Sequence, residues 1–118
     1  MIDLTNKKAI ITGASRGIGR SIAFDFAKYG CDLFLLSRSK EKLNNVKDEI
    51  SNKFNINIKC YVTDVSNYDS VQKTFKEIID KYNRIDILIN NAGITKDNIL
   101  VRMSIDEWNA VINTNLTG

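Results

Sequence analysis

Two hydrophobic periods alternate along this chain of 118 residues. Short unbroken apolar runs are followed by longer stretches in which apolar residues recur every three or four positions. Lys8–Thr12, with Ala9-Ile10-Ile11 at its centre, reads as a first strand. Ile18, Ile22, Ala23, Phe26 and Ala27 then mark one face of a helix, and Gly30 ends it from the C′ position. Residues 32–36 carry Leu33-Phe34-Leu35-Leu36, the pattern of a strand buried on both faces. Ser39 is placed to cap a second helix with the stripe Leu43, Val46 and Ile50. A third strand is predicted over 57–62. Ser66-Asn67-Tyr68-Asp69 has the form of a capping box. The helix it opens has the clearest stripe of all: Val71, Phe75, Ile78, Ile79 and Tyr82. A fourth strand is predicted over 85–89. Ser104-Ile105-Asp106-Glu107 is a second capping box, before a fourth helix with Trp108, Val111, Ile112 and Asn115 on one face.

Strands that alternate with helical crossovers imply a parallel sheet, because each crossover returns the chain to the same end of the sheet. The predicted class is α/β: a Rossmann-type, doubly wound parallel sheet with strand order 3-2-1-4. A ligand is expected at the carboxyl ends of the strands, where that order reverses. Residues 1–118 are read as one incomplete nucleotide-binding domain, truncated within the fourth helix, since Leu116-Thr117-Gly118 has no feature of a designed terminus. On this reading the chain is the first part of a longer protein, and the fourth strand has a bare edge, a liability for a parallel sheet.

Composition narrows the functional classes. With 43% hydrophobic and 26% charged residues, the chain is an ordinary globular sequence. The net charge is +3, but Lys and Arg are scattered rather than gathered in a stripe, so no nucleic-acid partner is expected. No apolar run approaches the length of a membrane span, and the first eight residues lack a secretory signal pattern. Cys31 and Cys60 have neither metal-ligand spacing nor a disulfide framework, and free thiols in a reducing, cytoplasmic setting are expected. Histidine is absent, which removes Ser-His-Asp and Cys-His catalysis and the commonest zinc sites; no metal is expected. The absence of proline, with many Asn, Lys and Ile, reads as genomic bias rather than chemistry.

The candidate chemistry begins at Thr12-Gly13-Ala14-Ser15-Arg16-Gly17-Ile18-Gly19, between the first strand and the first helix. Glycines there let the backbone turn tightly and approach a pyrophosphate. The new helix aims its free N–H groups and positive dipole end at that anion. The same residues could also serve only as a tight turn. An NAD-preferring site places an acid at the end of the second strand to hold the ribose 2′-hydroxyl. Here the residues are Ser37-Arg38-Ser39. Arg38, with Arg16 from the loop, could pair with a 2′-phosphate, which favours NADP(H); otherwise both are solvated surface charges. Asp64-Val65 after the third strand could accept from an adenine amino group and pack its ring, or could cap a helix. Asn90-Asn91-Ala92-Gly93 after the fourth strand lets backbone approach a ligand, or is an ordinary turn. Asn115 lies on an apolar helix face, where a buried amide needs partners, either as a structural bridge or as a site residue.

Taken together these residues resemble the short-chain dehydrogenase/reductase family over the whole chain. The glycine run resembles its cofactor loop (Gly13, Ala14, Ser15, Arg16, Gly17, Ile18 and Gly19). Asp64 is similar to its adenine contact, Asn90-Asn91-Ala92-Gly93 to its strand-4 motif, and Asn115 to the asparagine of its catalytic tetrad. The stretch from Gly93 to Met103 looks most like the bacterial 3-oxoacyl-acyl-carrier-protein reductases. The resemblance implies NADP(H) held by the loop, by Ser37, Arg38, Asp64 and Val65, and by Asn91, Ala92 and Gly93. It implies an acyl-carrier-protein-linked 3-oxoacyl substrate, a role in fatty-acid synthesis and a homotetrameric parent. The family's chemistry uses a serine and a Tyr-x-x-x-Lys pair. Here Tyr29, Tyr61, Tyr68 and Tyr82 are followed four places on by Leu33, Val65, Gln72 and Asp86. Of the tetrad only Asn115 is present, so these 118 residues alone are expected to be inactive. Two other readings stay open: a non-enzymatic NADP-binding module or split-protein half, and a sister reductase acting on a steroid, sugar or polyol.

Overall fold

The computed structural model describes residues 3–64, 66–89 and 100–101. It contains β1 (Lys8–Thr12), α1 (Gly17–Lys28), β2 (Asp32–Ser37), α2 (Lys40–Lys53), β3 (Ile58–Val62), α3 (Tyr68–Tyr82), β4 (Ile87–Ile89) and β5 (Leu100–Val101). The sheet order is β3-β2-β1-β4-β5. The pairs β1–β2, β1–β4 and β2–β3 are parallel. This is the doubly wound order predicted from the alternation of periods.

Helices cover both faces. Ala9, Ile11, Leu33, Leu35, Ile87 and Ile89 point to one side and pack with Ala23 and Ala27 of α1 and Leu43, Val46 and Ile50 of α2. Ile10, Phe34, Leu36 and Leu88 point to the other and meet Val71, Phe75, Ile78 and Ile79 of α3. Successive residues of β1 and β2 therefore serve opposite cores, which is why both strands are apolar throughout. Each fully buried Leu or Ile contributes about 1.5–3 kcal/mol, so the three-residue stripe of α2 is enough to dock that otherwise polar helix.

The helix ends follow from local chemistry. α1 closes in a Schellman arrangement: Gly30 N–H donates to Ala27 C=O at 3.0 Å and Cys31 N–H to Phe26 C=O at 3.1 Å, with Gly30 at φ +90°. Ser39 caps α2 by accepting from Lys42 N–H at 3.2 Å. The cap of α3 is Asn67, whose Oδ1 accepts from Ser70 N–H at 3.0 Å. This corrects the expectation that Ser66 starts a capping box. Ser66 lies one residue before the cap, and its hydroxyl points back to Asp64, to which it donates at 2.6 Å.

Three further differences concern edges. Ile18 does not join the buried face of α1; it is 64% exposed, although Gly19 beside it is buried. β4 starts at Ile87 rather than at Ile85, since Asp86 is drawn into side-chain bonds with its neighbours. The outer edge of β4 is not bare: β5 pairs with it antiparallel, Leu88 opposite Val101 and Ile89 opposite Leu100. The predicted fourth helix, with its Ser104 capping box, lies outside the described residues. Among the described residues no helix is long and apolar enough to cross a membrane.

Candidate functional site

The carboxyl ends of β1, β2 and β3 lie side by side, and each releases one of the predicted site segments. Beyond Thr12 the chain enters the glycine loop. Gly13 and Gly17 take φ of 63° and 58°, a left-handed conformation that costs an L-residue about 1–2 kcal/mol. A Cβ on Gly17 would meet nothing within 4 Å, so this glycine is required by backbone conformation rather than by space. The two left-handed residues flank the short loop between β1 and the first residue of α1, Gly17.

α1 differs from its neighbours at this end. Arg16 is its N-cap residue, with no side-chain hydrogen bond to the helix and no acid in the first turn. α2 has Ser39 and Glu41 there, and α3 has Asn67 and Asp69. The N–H groups that a cap would engage and the positive end of the dipole are left for an external anion.

The loop is fixed to β2 by two bonds. Ala14 N–H donates to Leu36 C=O at 3.3 Å. Ser37 Oγ donates to Ser15 Oγ at 2.9 Å and accepts from Ser39 N–H at 3.4 Å. Ser37 is buried, whereas Arg38 beyond it is exposed, as is Arg16. Both guanidinium side chains thus leave the surface around the joined ends of β1 and β2.

Asp64 follows β3 and is exposed. Its Oδ1 accepts from the Ser66 hydroxyl at 2.6 Å and from Ser66 N–H at 3.0 Å. These two bonds hold its carboxyl below the usual carboxylate range, with a smaller contribution in the same direction from the Arg38 charge. Asp64 is therefore a preformed, ionised acceptor beside Arg38. Behind it, Thr63 is buried. Its N–H donates to Ser37 C=O at 2.9 Å, and its hydroxyl lies 3.0 Å from the Thr74 hydroxyl of α3. Sequence reasoning missed Thr63 and Thr74, and read Ser66 only as part of a helix cap. A hydroxyl at a strand end gives no period to read, and its role emerges only when α3 folds over β3.

Of the predicted residues, Gly13, Ala14, Ser15, Arg16, Gly17, Ile18, Gly19, Ser37, Arg38 and Asp64 come together at one end of the sheet. Val65, Asn91, Ala92, Gly93 and Asn115 lie outside the described residues. The donor set present fits a dinucleotide: an open helix N-terminus, hydroxyls, two arginines and one ionised acceptor. Among the described residues there is no group of three or more His, Cys, Asp or Glu that could hold a metal.

The family model for the short chain dehydrogenase matches residues 7–118. The chain belongs to the short-chain dehydrogenase family. Its fold is that of other family members: it superposes on L-sorbose reductase from Gluconobacter frateurii, solved with NADPH and L-sorbose, with a TM-score of 0.75 and 26% identity, covering 98% of this chain and 46% of that one. A metagenomic short-chain oxidoreductase in complex with NADP gives a TM-score of 0.72 at 34% identity, over 77% of this chain and 41% of that one. In sequence, this short-chain dehydrogenase chain is 45% identical over 114 residues to the 3-oxoacyl-acyl-carrier-protein reductase FabG of Staphylococcus epidermidis, covering 96% of this chain and 46% of that protein. It is 39% identical over 117 residues to FabG of Aquifex aeolicus, covering 99% and 47% respectively. The chain thus spans about half the length of the curated relatives it matches.

Proposed function

We propose that residues 13–19, with Ser37, Arg38 and Asp64, bind NADP(H), and that the chain is the cofactor-binding part of a 3-oxoacyl-acyl-carrier-protein reductase. The observation that carries the cofactor reading is the end of β2: a buried Ser37 tied to the glycine loop, an exposed Arg38 next to it, and no acid to take a ribose 2′-hydroxyl. An anion held against the N-terminus of α1 places its adenosine side towards β2 and β3. Arg38 and Arg16 then offer charge-assisted bonds to a 2′-phosphate, and Asp64 offers an ionised acceptor. The similarity to FabG proteins supports the substrate class: a 3-oxoacyl thioester on acyl carrier protein.

Bound in this position, the dinucleotide supplies hydride to a carbonyl carbon. The residues here orient it: the loop fixes its phosphates, Ser15 and Ser37 set the level of the loop against β2, and Arg38 selects the phosphorylated form. Asn115 is proposed as a positioning asparagine of the reaction centre. Because the 118 residues contain no Tyr-x-x-x-Lys pair, they bind cofactor without turnover. The same observation favours a second reading, a non-enzymatic NADP-binding module.

Calorimetric titration of the chain with NADPH and NADH tests the cofactor reading. Saturable binding that is at least about tenfold tighter for NADPH is expected; equal affinity, or none for either, overturns it. Mixing the chain with NADPH and an acetoacetyl thioester is expected to give no oxidation above a heat-killed control.

A further inference from the structure

Among the described residues Asp86 is the only carboxylate, lysine or arginine that is buried, at 5% exposure. It sits at the amino end of β4, the opposite end of the sheet from the candidate site. Its Oδ2 accepts from Lys8 N–H at 3.0 Å and lies 3.2 Å from Arg84 Nε. Its own N–H donates to Lys8 C=O at 2.9 Å. Arg84 also donates through its terminal nitrogen to Asn6 C=O. Asn6 is left-handed at φ 68° in the turn closed by Lys7 N–H and Leu4 C=O. One carboxylate therefore ties together the turn before β1, the first residue of β1 and the entry to β4.

We propose that Asp86 is a register pin: it fixes which residues of β4 pair with which of β1, and so sets the level at which the chain leaves β4 beside the glycine loop. The reason lies in the strand itself. Ile85, Ile87, Leu88 and Ile89 are all apolar and all buried. Both faces of β4 are covered, so hydrophobicity alone accepts a slip of one residue or of two; the rule that a slip exposes the core face has no force here. The polar residues at its two ends supply the discrimination. Advancing Asp86 into the ladder would place its carboxylate against Ala9 or Ile10 inside a dry core, away from Lys8 N–H and Arg84, which is strongly unfavourable. Slipping the other way would bring Asn90 in. Registry is the best-attested use of a buried charged group. Each residue of slip moves the strand by about 3.3 Å. A two-residue slip would thus displace the exit of β4 from the loop by more than the length of a hydrogen bond. Asp86 is a positioning residue: it touches neither substrate nor cofactor.

The register half of this inference stands on the β1–β4 pairing; the link to the site rests on the dinucleotide reading above. The test is isotope-edited NMR of the 118-residue chain, reading the Ala9–Ile87 and Ile11–Ile89 contacts, with NADPH titration of the same samples. Asp86→Leu is expected to fold but to show doubled β4 resonances, with new contacts from Ala9 to Ile85 or to the substituted side chain. It is also expected to bind NADPH at least about tenfold more weakly, since the loop and the β4 exit no longer share one level. Asp86→Asn keeps an oxygen for Lys8 N–H and is expected to keep one register, with an affinity within about threefold of wild type. A single native register in Asp86→Leu overturns the pin, and unchanged NADPH affinity in a register-mixed Asp86→Leu overturns its link to the site. If Asp86→Leu does not fold, Asp86→Ala decides, with Asp86→Asn as the control: a second register of β4 in the alanine variant sustains the pin, whereas a single native register overturns it. Wild-type chain with native contacts but no NADPH saturation overturns the dinucleotide reading and leaves the pin resting on the contacts.

Discussion

Two glycines and one arginine separate conformational from chemical roles at single positions. Gly17 and Gly30 both have positive φ, 58° and 90°, yet their surroundings differ. A Cβ on Gly17 points into open space, whereas one on Gly30 would lie 2.7 Å from Thr5 Oγ1 and 3.4 Å from the Thr5 backbone. Gly17→Ala should therefore cost only the left-handed penalty, about 1–2 kcal/mol. Gly30→Ala should cost clearly more, since the turn holding Thr5 must also shift. Thermal melts of the two variants check this order, and an equal loss would show that Thr5 yields freely. Arg38 is exposed and leaves the fold's packing untouched. Arg38→Asp should leave the melting temperature unchanged while weakening NADPH binding by about tenfold or more, because hydrogen bonds to charged groups contribute about 1.5–3 kcal/mol and the new carboxylate repels the phosphate. NADH affinity should move far less. Identical NADPH titrations for wild type and variant would reduce Arg38 to a surface charge. The place of Arg38 just beyond β2 is legible in sequence because it depends on one position following one strand. The Ser15–Ser37 bond is not, since it joins two loops that only the paired strands bring together.

Helix ends show where local chemistry can be read and where it cannot. Ser39 is readable as a cap because its hydroxyl accepts from the helix just as the spacing requires. Ser66 misleads because its side chain points back to Asp64, two residues earlier, while Asn67 occupies the cap position and accepts from Ser70 N–H. Capping boxes are defined by spacing, but which side chain reaches the helix N–H groups depends on where each one points. Ile18 misleads because helical period puts it on the apolar face but does not show which residues of that face are covered, and Ile18 is 64% exposed. Removing the caps gives a measurable contrast. Ser39→Ala and Asn67→Ala should each lower stability by about 1 kcal/mol, whereas Ser66→Ala should leave helix stability nearly unchanged and act on Asp64 instead. With the Ser66 hydroxyl gone, the Asp64 carboxyl loses the larger of the bonds that depress its pKa. Carboxylate titration by NMR should then find Asp64 shifted upward in Ser66→Ala but not in Ser39→Ala. A Ser66→Ala variant as destabilised as Asn67→Ala would restore the capping box that the spacing suggests.

At the scale of the whole molecule, strand order is legible because it follows from alternation and handedness rather than from any one residue. The β5 strand is not, because a two-residue antiparallel pair carries no period. The cysteines are legible as free thiols, but only the packed structure gives them an energetic consequence. Cys31 is fully buried between α1 and β2, and burial pushes its thiol from an ordinary value of 9.0 up to about 12, aided by the nearby charges of Asp32 and Asp86. Burial likewise pushes the Tyr61 phenol from 10.0 up to about 12, reinforced by Tyr82. Both groups keep their protons in the folded chain at pH values where the unfolded chain has lost them. The folded state then binds more protons, so stability falls as pH rises. The contribution of Cys31 is fully present below pH 9.0 and is lost progressively towards pH 12. Its slope approaches about 1.4 kcal/mol per pH unit. Tyr61 is only half-buried, and its share is smaller because solvent screens it. Cys31→Ala removes the thiol and its slope while leaving a small gap in the core. Its melting temperature should therefore start below wild type at about pH 8 and fall less between about pH 8 and about pH 10.5. Parallel curves for the two proteins over that interval would show that the Cys31 thiol ionises as readily in the folded chain as in the unfolded one.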